Sequence, residues 1–98
     1  MEDEEEGELV KDPPSFYWSR WEDKKGYLHR LNGPAIIFSS GDTIWCRHGL
    51  RHRDDGPAVD WPSQNKEEWY KDGKVYEPSA HELIAWKMKK QNDTAQHE

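Results

Sequence analysis

Two His-Arg pairs, His29-Arg30 and His52-Arg53, stand 23 residues apart, and each is followed after two residues by Gly-Pro-Ala. Histidine donates and accepts through separate ring nitrogens, while arginine stacks on aromatic rings or grips carboxylates and phosphates. The pairs therefore suit two kinds of chemistry. In one, Arg30 and Arg53 belong to a polar row facing a partner or a phosphate. In the other, which the recurrence favours, each His satisfies turn backbone and each Arg stacks on a Trp of its own or the next unit, or pairs with a carboxylate such as Asp54 or Asp55. Cys46-x-His48, with His52 close behind and His29 one repeat away, collects thiolate and imidazole, but one Cys without a second paired spacing is not a zinc motif. No metal and no cofactor are expected. No Ser or Cys sits in a nucleophile motif with a base and an orienting acid, and no glycine-rich loop opens a helix. No catalytic residue is expected, and the chain reads as non-enzymatic.

The elements that position these residues follow from a period of 23 to 24. Gly26, Gly49 and Gly73 mark it, as do Gly33-Pro34-Ala35 and Gly56-Pro57-Ala58. Trp45 and Trp69 each lie four residues before their Gly, whereas Trp21 lies five before Gly26, so the first hairpin carries an extra residue. Lys25-Gly26, Asn32-Gly33, Ser40-Gly41, His48-Gly49, Asp55-Gly56 and Asp72-Gly73 place glycine where tight turns call for positive φ. Runs rich in aromatic and β-branched residues lie between them at 16–21, 35–38, 43–46, 58–61 and 68–70. The expected fold is mainly β, an antiparallel meander of seven or eight short strands over residues 15–78, with Pro34 and Pro57 each opening a strand. Ser79-x-x-Glu82 is a capping box, and Leu83, Ile84, Trp86 and Met88 follow at helical spacing, so one helix over 79–91 is expected to pack on the sheet, with 92–98 frayed. The motif residues expected to maintain the fold are His29, Arg30, Gly33, Pro34, His52, Arg53, Gly56, Pro57, Trp45 and Trp69.

The unit Trp-x-x-x-Gly-x-x-His-Arg-x-x-Gly-Pro-Ala resembles MORN-type repeats, which are β-hairpins stacked into an elongated twisted sheet. It is closest to a variant, His-Arg-x-x-Gly-Pro-Ala, found in arrays in uncharacterised phage, giant-virus and bacterial proteins. The resemblance covers residues 17–76, about 60% of the chain. It implies the fold and a viral origin, and no activity. Usual MORN units carry Gly after the His, where this chain has Arg30 and Arg53, so the lipid binding associated with MORN proteins is not carried over.

Charge and composition narrow the function classes. Residues 1–12 hold seven acids and one base, a net of −6, which leaves 13 acids and 13 bases in the remainder. The acidity belongs to an arm, expected to be disordered over residues 1–14, and the neutral domain lacks the basic field that draws nucleic acid. A lone Cys excludes an intrachain disulfide scaffold, and no apolar stretch reaches membrane-spanning length. A cytoplasmic location and a monomer or small homo-oligomer are expected. Six Trp in 98 residues exceed what a thin sheet buries on one face. Trp18 and Trp61 fall outside the repeated Trp position and are interface candidates, with Arg30, Arg53 and the arm acids Glu4, Glu5 and Glu6. Lys87, Lys89 and Lys90 face either the helix dipole or an acidic partner. The leading expectation is a protein-binding module, in the viral setting an inhibitor or modulator of a host protein. The alternatives are a single-stranded nucleic-acid binder using exposed Trp and the His-Arg row, or a structural protein assembling through sheet edges.

Overall fold

The computed structural model describes residues 5–11 and 15–95, the side chains of 91–95 excepted. β1 (Glu8–Leu9), β2 (Tyr17–Glu22), β3 (Ile36–Phe38), β4 (Thr43–Ile44), β7 (Val59–Trp61) and β8 (Lys66–Glu68) form one antiparallel sheet in that spatial order. β5 (Cys46–Arg47) pairs with β6 (Leu50–Arg51), and β9 (Tyr70–Lys71) with β10 (Lys74–Val75). A 3-10 turn at Pro62–Gln64 joins β7 to β8, and α1 (Ala80–Ala95) follows the last hairpin. This is the mainly β meander with one C-terminal helix that the sequence implies. Among the described residues, ten short strands replace the expected seven or eight because the Trp interrupts the longer runs: Trp45 separates β4 from β5, and Trp69 separates β8 from β9.

Trp21, Trp45 and Trp69 open three equivalent hairpins. The Trp carbonyls accept the N–H groups of His29 (3.1 Å), His52 (3.1 Å) and Tyr76 (2.9 Å), so the third copy carries Tyr where the others carry His. His48-Gly49 and Asp72-Gly73 have positive φ at both residues, +48° and +86°, then +51° and +81°, the twist that matches two-residue hairpins. In the first hairpin the extra residue is absorbed by a longer loop, where Asp23 Oδ1 accepts the N–H groups of Lys25 and Tyr27.

The motif ties neighbouring hairpins together. Nδ1 of His29 accepts the His48 N–H at 2.9 Å, and Nδ1 of His52 accepts the Asp72 N–H at 3.0 Å. The Gly49 and Gly73 N–H groups donate to Leu28 and Arg51 carbonyls one unit back. Each Arg lies over its own unit's indole, Arg30 at 4.1 Å from Trp21 and Arg53 at 4.0 Å from Trp45. Nη1 of each donates to the motif Pro carbonyl, Pro34 at 3.4 Å and Pro57 at 3.2 Å. The positive φ expected at Gly33 and Gly56 is absent. Glycine is needed there because the guanidinium occupies the space a side chain would take: a Cβ would lie 2.8 Å from Arg30 Cζ at Gly33, and 3.1 Å from Arg53 Cζ and 2.9 Å from the Trp86 ring at Gly56.

Among the described residues the buried hydrophobic set is small, comprising Ala35, Ile36, Cys46, Ala58, Val59 and Trp86, and His29 and Pro57 are fully enclosed. Ile36, Ile44 and Val59 are register partners across β3, β4 and β7 and so share one face of the sheet. The capping box is made reciprocally: Ser79 N–H donates to Glu82 Oε1 and Glu82 N–H to Ser79 Oγ. The helix then departs from expectation in its rotation. Trp86 is the residue it buries, whereas Leu83, Ile84 and Met88 stay 37%, 57% and 59% exposed. The cause lies on the sheet. Trp86 covers Gly56 and sits 4.7 Å from Arg53, while Lys89 pairs with Asp55 and Lys90 with Glu67, each at 2.7 Å. Those three residues share one helical face. The helix also runs past 91, to Ala95.

The arm needs a second correction. Residues 5–11 are part of the fold: β1 pairs with β2 as Glu8↔Glu22 and Leu9↔Trp21, and Val10 N–H donates to Arg20 O. An extended acidic segment gains order here by completing backbone hydrogen bonds at a sheet edge. Glu4 and the rest of residues 1–4, with 12–14 and 96–98, lie outside the described residues.

Gly56→Ala is expected to destabilise the fold by about 1–3 kcal/mol, because the new methyl overlaps two packed groups. Denaturant titration checks the loss. The emission of Trp86 should shift to the red in native buffer as the ring is lifted from its seat.

Candidate functional site

The motif residues first proposed for partner contact prove to be occupied within the fold. His29 is fully buried, and His52 and Arg53 are 9% and 8% exposed. Because each Nδ1 accepts a backbone N–H, the ring hydrogen must sit on Nε2. That hydrogen is donated in turn, from His29 to Glu5 O at 2.7 Å and from His52 to Asp54 Oδ1 at 2.9 Å. In the second unit Arg53 Nε also donates to Asp55 Oδ1. Leu31 and Asn32 hold the corresponding places in the first unit and carry no carboxylate, so the N-terminal segment supplies acceptors instead. Glu5 provides its carbonyl to His29, and Glu6 Oε2 lies 4.0 Å from Arg30 Nε while its Oε1 accepts from Asn32. Lys89 and Lys90 are engaged with Asp55 and Glu67.

The same bonds decide the metal question at two places. Glu5, His29 and His48 bring potential ligand atoms within 4.8 Å of one another. His29, however, has no lone pair to give: Nδ1 is taken by the His48 N–H and Nε2 carries the hydrogen. Its ring also stacks on His48, with centroids 3.9 Å apart, rather than converging with it on a point. His52 is committed in the same way. Cys46 is buried, and desolvation pushes its thiol up to about 11 despite the nearby Arg51 charge, so it resembles a packing residue more than a ligand or nucleophile.

His48 keeps one open edge. Its Nδ1 faces Asp23 Oδ2 at 2.7 Å, and the side chain is about half exposed. Burial works to raise the Asp23 carboxyl, but the His48 hydrogen bond and the N–H groups of Tyr27 and Lys25 outweigh it and hold the carboxyl below its ordinary value. Near the helix, Asp60 and Glu67 are direct cross-strand partners beside Trp86, Lys87 and Lys90 around a hollow of about 510 Å³. Burial raises Asp60. It also works to raise Glu67, but hydrogen bonds from Lys90 and Trp86 prevail and lower it. Both donors come from α1, so Glu67 anchors the helix.

Trp18 and Trp61 end differently from the motif residues. Between β2 and β3 the register runs Tyr17↔Phe38, then Ser19↔Ile37. Trp18 is therefore an extra residue, a β-bulge, and bulges re-aim side chains. It is 67% exposed, and Phe16 two residues earlier is 57% exposed. Trp61 is half-buried and lines a shallow hollow of about 300 Å³ with Phe16, Phe38, Ser40 and Asp42. Phe16, Tyr17 and Phe38 form a ring series with centroid spacings of 4.4 and 5.3 Å. The indole N–H of Trp61 is enclosed and has no acceptor among the described residues. Periodicity singles out Trp18 and Trp61 by their failure to fit the unit. Phe16, exposed two residues before the bulge, carries no such signal.

Asp42 holds this end of the sheet together. Its Oδ2 accepts the hydroxyls of Ser63 (2.7 Å) and Ser40 (2.9 Å), and its Oδ1 accepts the Ser63 N–H (3.1 Å). The Ser63 hydroxyl is the main reason its carboxyl stays below the ordinary range, since burial acts the other way. One carboxylate thus bolts the β3–β4 turn to the 3-10 turn.

Comparisons of the chain with protein-family models, curated proteins and solved structures gave no match.

Two outcomes follow from these environments. A folded-state carboxyl below its unfolded value contributes stability that is complete above the unfolded value and lost as pH falls through the folded one. Asp42→Asn should therefore lower stability at neutral pH and make its decline below about pH 4 shallower than in wild type, as read by urea titrations from pH 7 to pH 2.5. Cys46 should resist alkylation at pH 8 in native buffer and react fully in denaturant, as read by mass shift.

Proposed function

We propose that the protein is a non-enzymatic protein-binding module whose contact surface is the aromatic end of the main sheet, centred on Phe16, Trp18 and Trp61. The observation that carries this reading is Trp18, held 67% exposed at a bulge in β2. Leaving so large an apolar ring in water forgoes a burial worth several kcal/mol. A bulge that aims it outward beside an exposed Phe makes the kind of aromatic cluster on which interface energy concentrates. Trp61, half-buried, lines the adjoining hollow and extends the aromatic surface. In the phage or giant-virus setting that the repeat variant suggests, such a module acts by occluding a surface of a host protein. The His-Arg row supports this reading over nucleic-acid binding, because Arg53 is buried and paired with Asp55 and Arg30 lies stacked on Trp21.

Photocrosslinking from position 18 tests the proposal, with position 75 as the control because Val75 is more exposed, at 79%, yet far from the aromatic cluster in sequence. Position 18 should yield a discrete adduct that position 75 does not. Trp18→Ala should weaken binding to that adduct protein by about 10- to 100-fold while changing folding stability by less than about 0.5 kcal/mol. Equal adducts from both positions would refute it.

A further inference from the structure

We infer that the groove beside β2 is a second recognition site, for an extended acidic peptide, and that residues 5–10 of this chain occupy it in cis. The inference is independent of the aromatic surface. It starts from the difference between the two units. Asp54 and Asp55 satisfy His52 and Arg53 within the second unit, whereas Leu31 and Asn32 leave His29 and Arg30 without a carboxylate of their own. Every acceptor those two groups find outside their unit's own Pro carbonyl comes from the N-terminal segment. Glu5 O accepts from His29, and Glu6 brings its carboxylate to within 4.0 Å of Arg30 Nε, an enclosed donor with no hydrogen bond among the described residues. Glu6 O accepts the Leu31 N–H, Glu5 Oε2 the Lys24 N–H, and Glu6 Oε1 an Asn32 amide hydrogen.

The backbone contribution is β-strand addition. Two residues, Glu8 and Leu9, pair with β2, and both are exposed. Without them β2 would be the edge of the sheet, with free N–H and C=O groups, the kind of surface that recruits an extended peptide. One position sets a strict requirement. Gly7 has φ +99°, and a Cβ there would lie 2.3 Å from the His29 carbonyl oxygen. The groove therefore reads two adjacent acids followed by Gly, the pattern Glu5-Glu6-Gly7, and then pairs with the backbone of two residues whose side chains, here Glu8 and Leu9, stay exposed. A partner presenting that pattern in an extended segment competes with the tethered copy. The cis segment sets a threshold, because a short tether acts as a high local concentration of ligand.

The test uses the full-length chain with Gly7→Val, which expels the cis segment, and a fluorescent peptide of the sequence of residues 5–11. Anisotropy should show saturable binding to Gly7→Val and binding at least ten-fold weaker to wild type. A peptide with Val in place of its Gly should not bind Gly7→Val, and adding Arg30→Gln to that chain should weaken the intact peptide at least ten-fold. Should Gly7→Val fail to fold, Glu5→Lys with Glu6→Lys replaces it, since a cation facing Arg30 and another beside Lys24 expel the segment without touching the backbone. No saturable binding to a folded variant at millimolar peptide overturns the proposal, as does equal binding of the Val peptide. Failure of both variants to fold overturns it too, because a segment the fold cannot lose is not displaceable.

Discussion

The structure depends on one repeated hydrogen bond, from the N–H of a hairpin-turn residue to Nδ1 of a histidine in the preceding unit. The two-residue turns at His48-Gly49 and Asp72-Gly73 leave that N–H directed away from their own hairpin, and a backbone donor enclosed between units must find an acceptor. The imidazole supplies it, and its tautomer follows. With Nδ1 accepting, Nε2 must donate, so each unit also needs an acceptor on the far side of the ring. Asp54 provides one in the second unit and Glu5 O in the first. The backbone that carries the His also carries the Arg over the Trp that opened the same hairpin, and the guanidinium there forces glycine three residues later. Nearly every constant position in the unit is a consequence of that geometry.

A stack of hairpins has two ends, and repeat proteins stay soluble by closing them with atypical elements. At the C-terminal end the third copy replaces His with Tyr76, whose hydroxyl donates to Glu82 of the helix rather than receiving another turn. The helix then lays Trp86 on Arg53, so that cation touches two indoles. At the N-terminal end an acidic strand supplies the acceptors the first unit lacks. The chain has little aliphatic core, and cation–π stacks over indoles, each worth about 0.5–1 kcal/mol at exposed sites and about 2 kcal/mol where water is excluded, take over part of that role.

Much of this was legible from spacing alone. The 23-residue interval exposed the hairpins, the capping box located the helix start, and Trp21's extra residue anticipated the longer first loop. The stacking of Arg on Trp and the pairing with Asp55 followed from chemistry and position. The unread parts have physical causes. Gly33 and Gly56 look like turn glycines, because sequence does not distinguish a glycine needed for its φ from one needed to make room. Leu83 and Ile84 promise a helix face by hydropathy, yet Lys89, Lys90 and Trp86 had specific partners on the sheet and set the rotation. The acidic arm reads as solvated because composition gives no sign of a sheet edge awaiting a strand. The bulge at Trp18 is a register event between β2 and β3, and only the paired structure displays it.

These causes separate the residues that build the unit from those that can serve a partner. A motif His has both nitrogens engaged, a motif Arg has its face on an indole, and a motif Gly has no room for anything larger. None of these groups can turn toward a ligand without opening the stack. Among the described residues, the groups the repeat leaves unsatisfied are an indole aimed outward by an extra residue, an enclosed indole N–H with no acceptor, and an Arg30 Nε with only a carboxylate 4.0 Å away. The first two lie at the aromatic end of the sheet and the third beside the N-terminal strand. A substitution within His-Arg-x-x-Gly-Pro-Ala reports on folding, whereas one at Trp18 leaves the unit's bonds in place and tests the proposed contact surface. Arg30 is the exception, because its stacking face belongs to the fold and its unpaired nitrogen to whichever acidic strand lies against it.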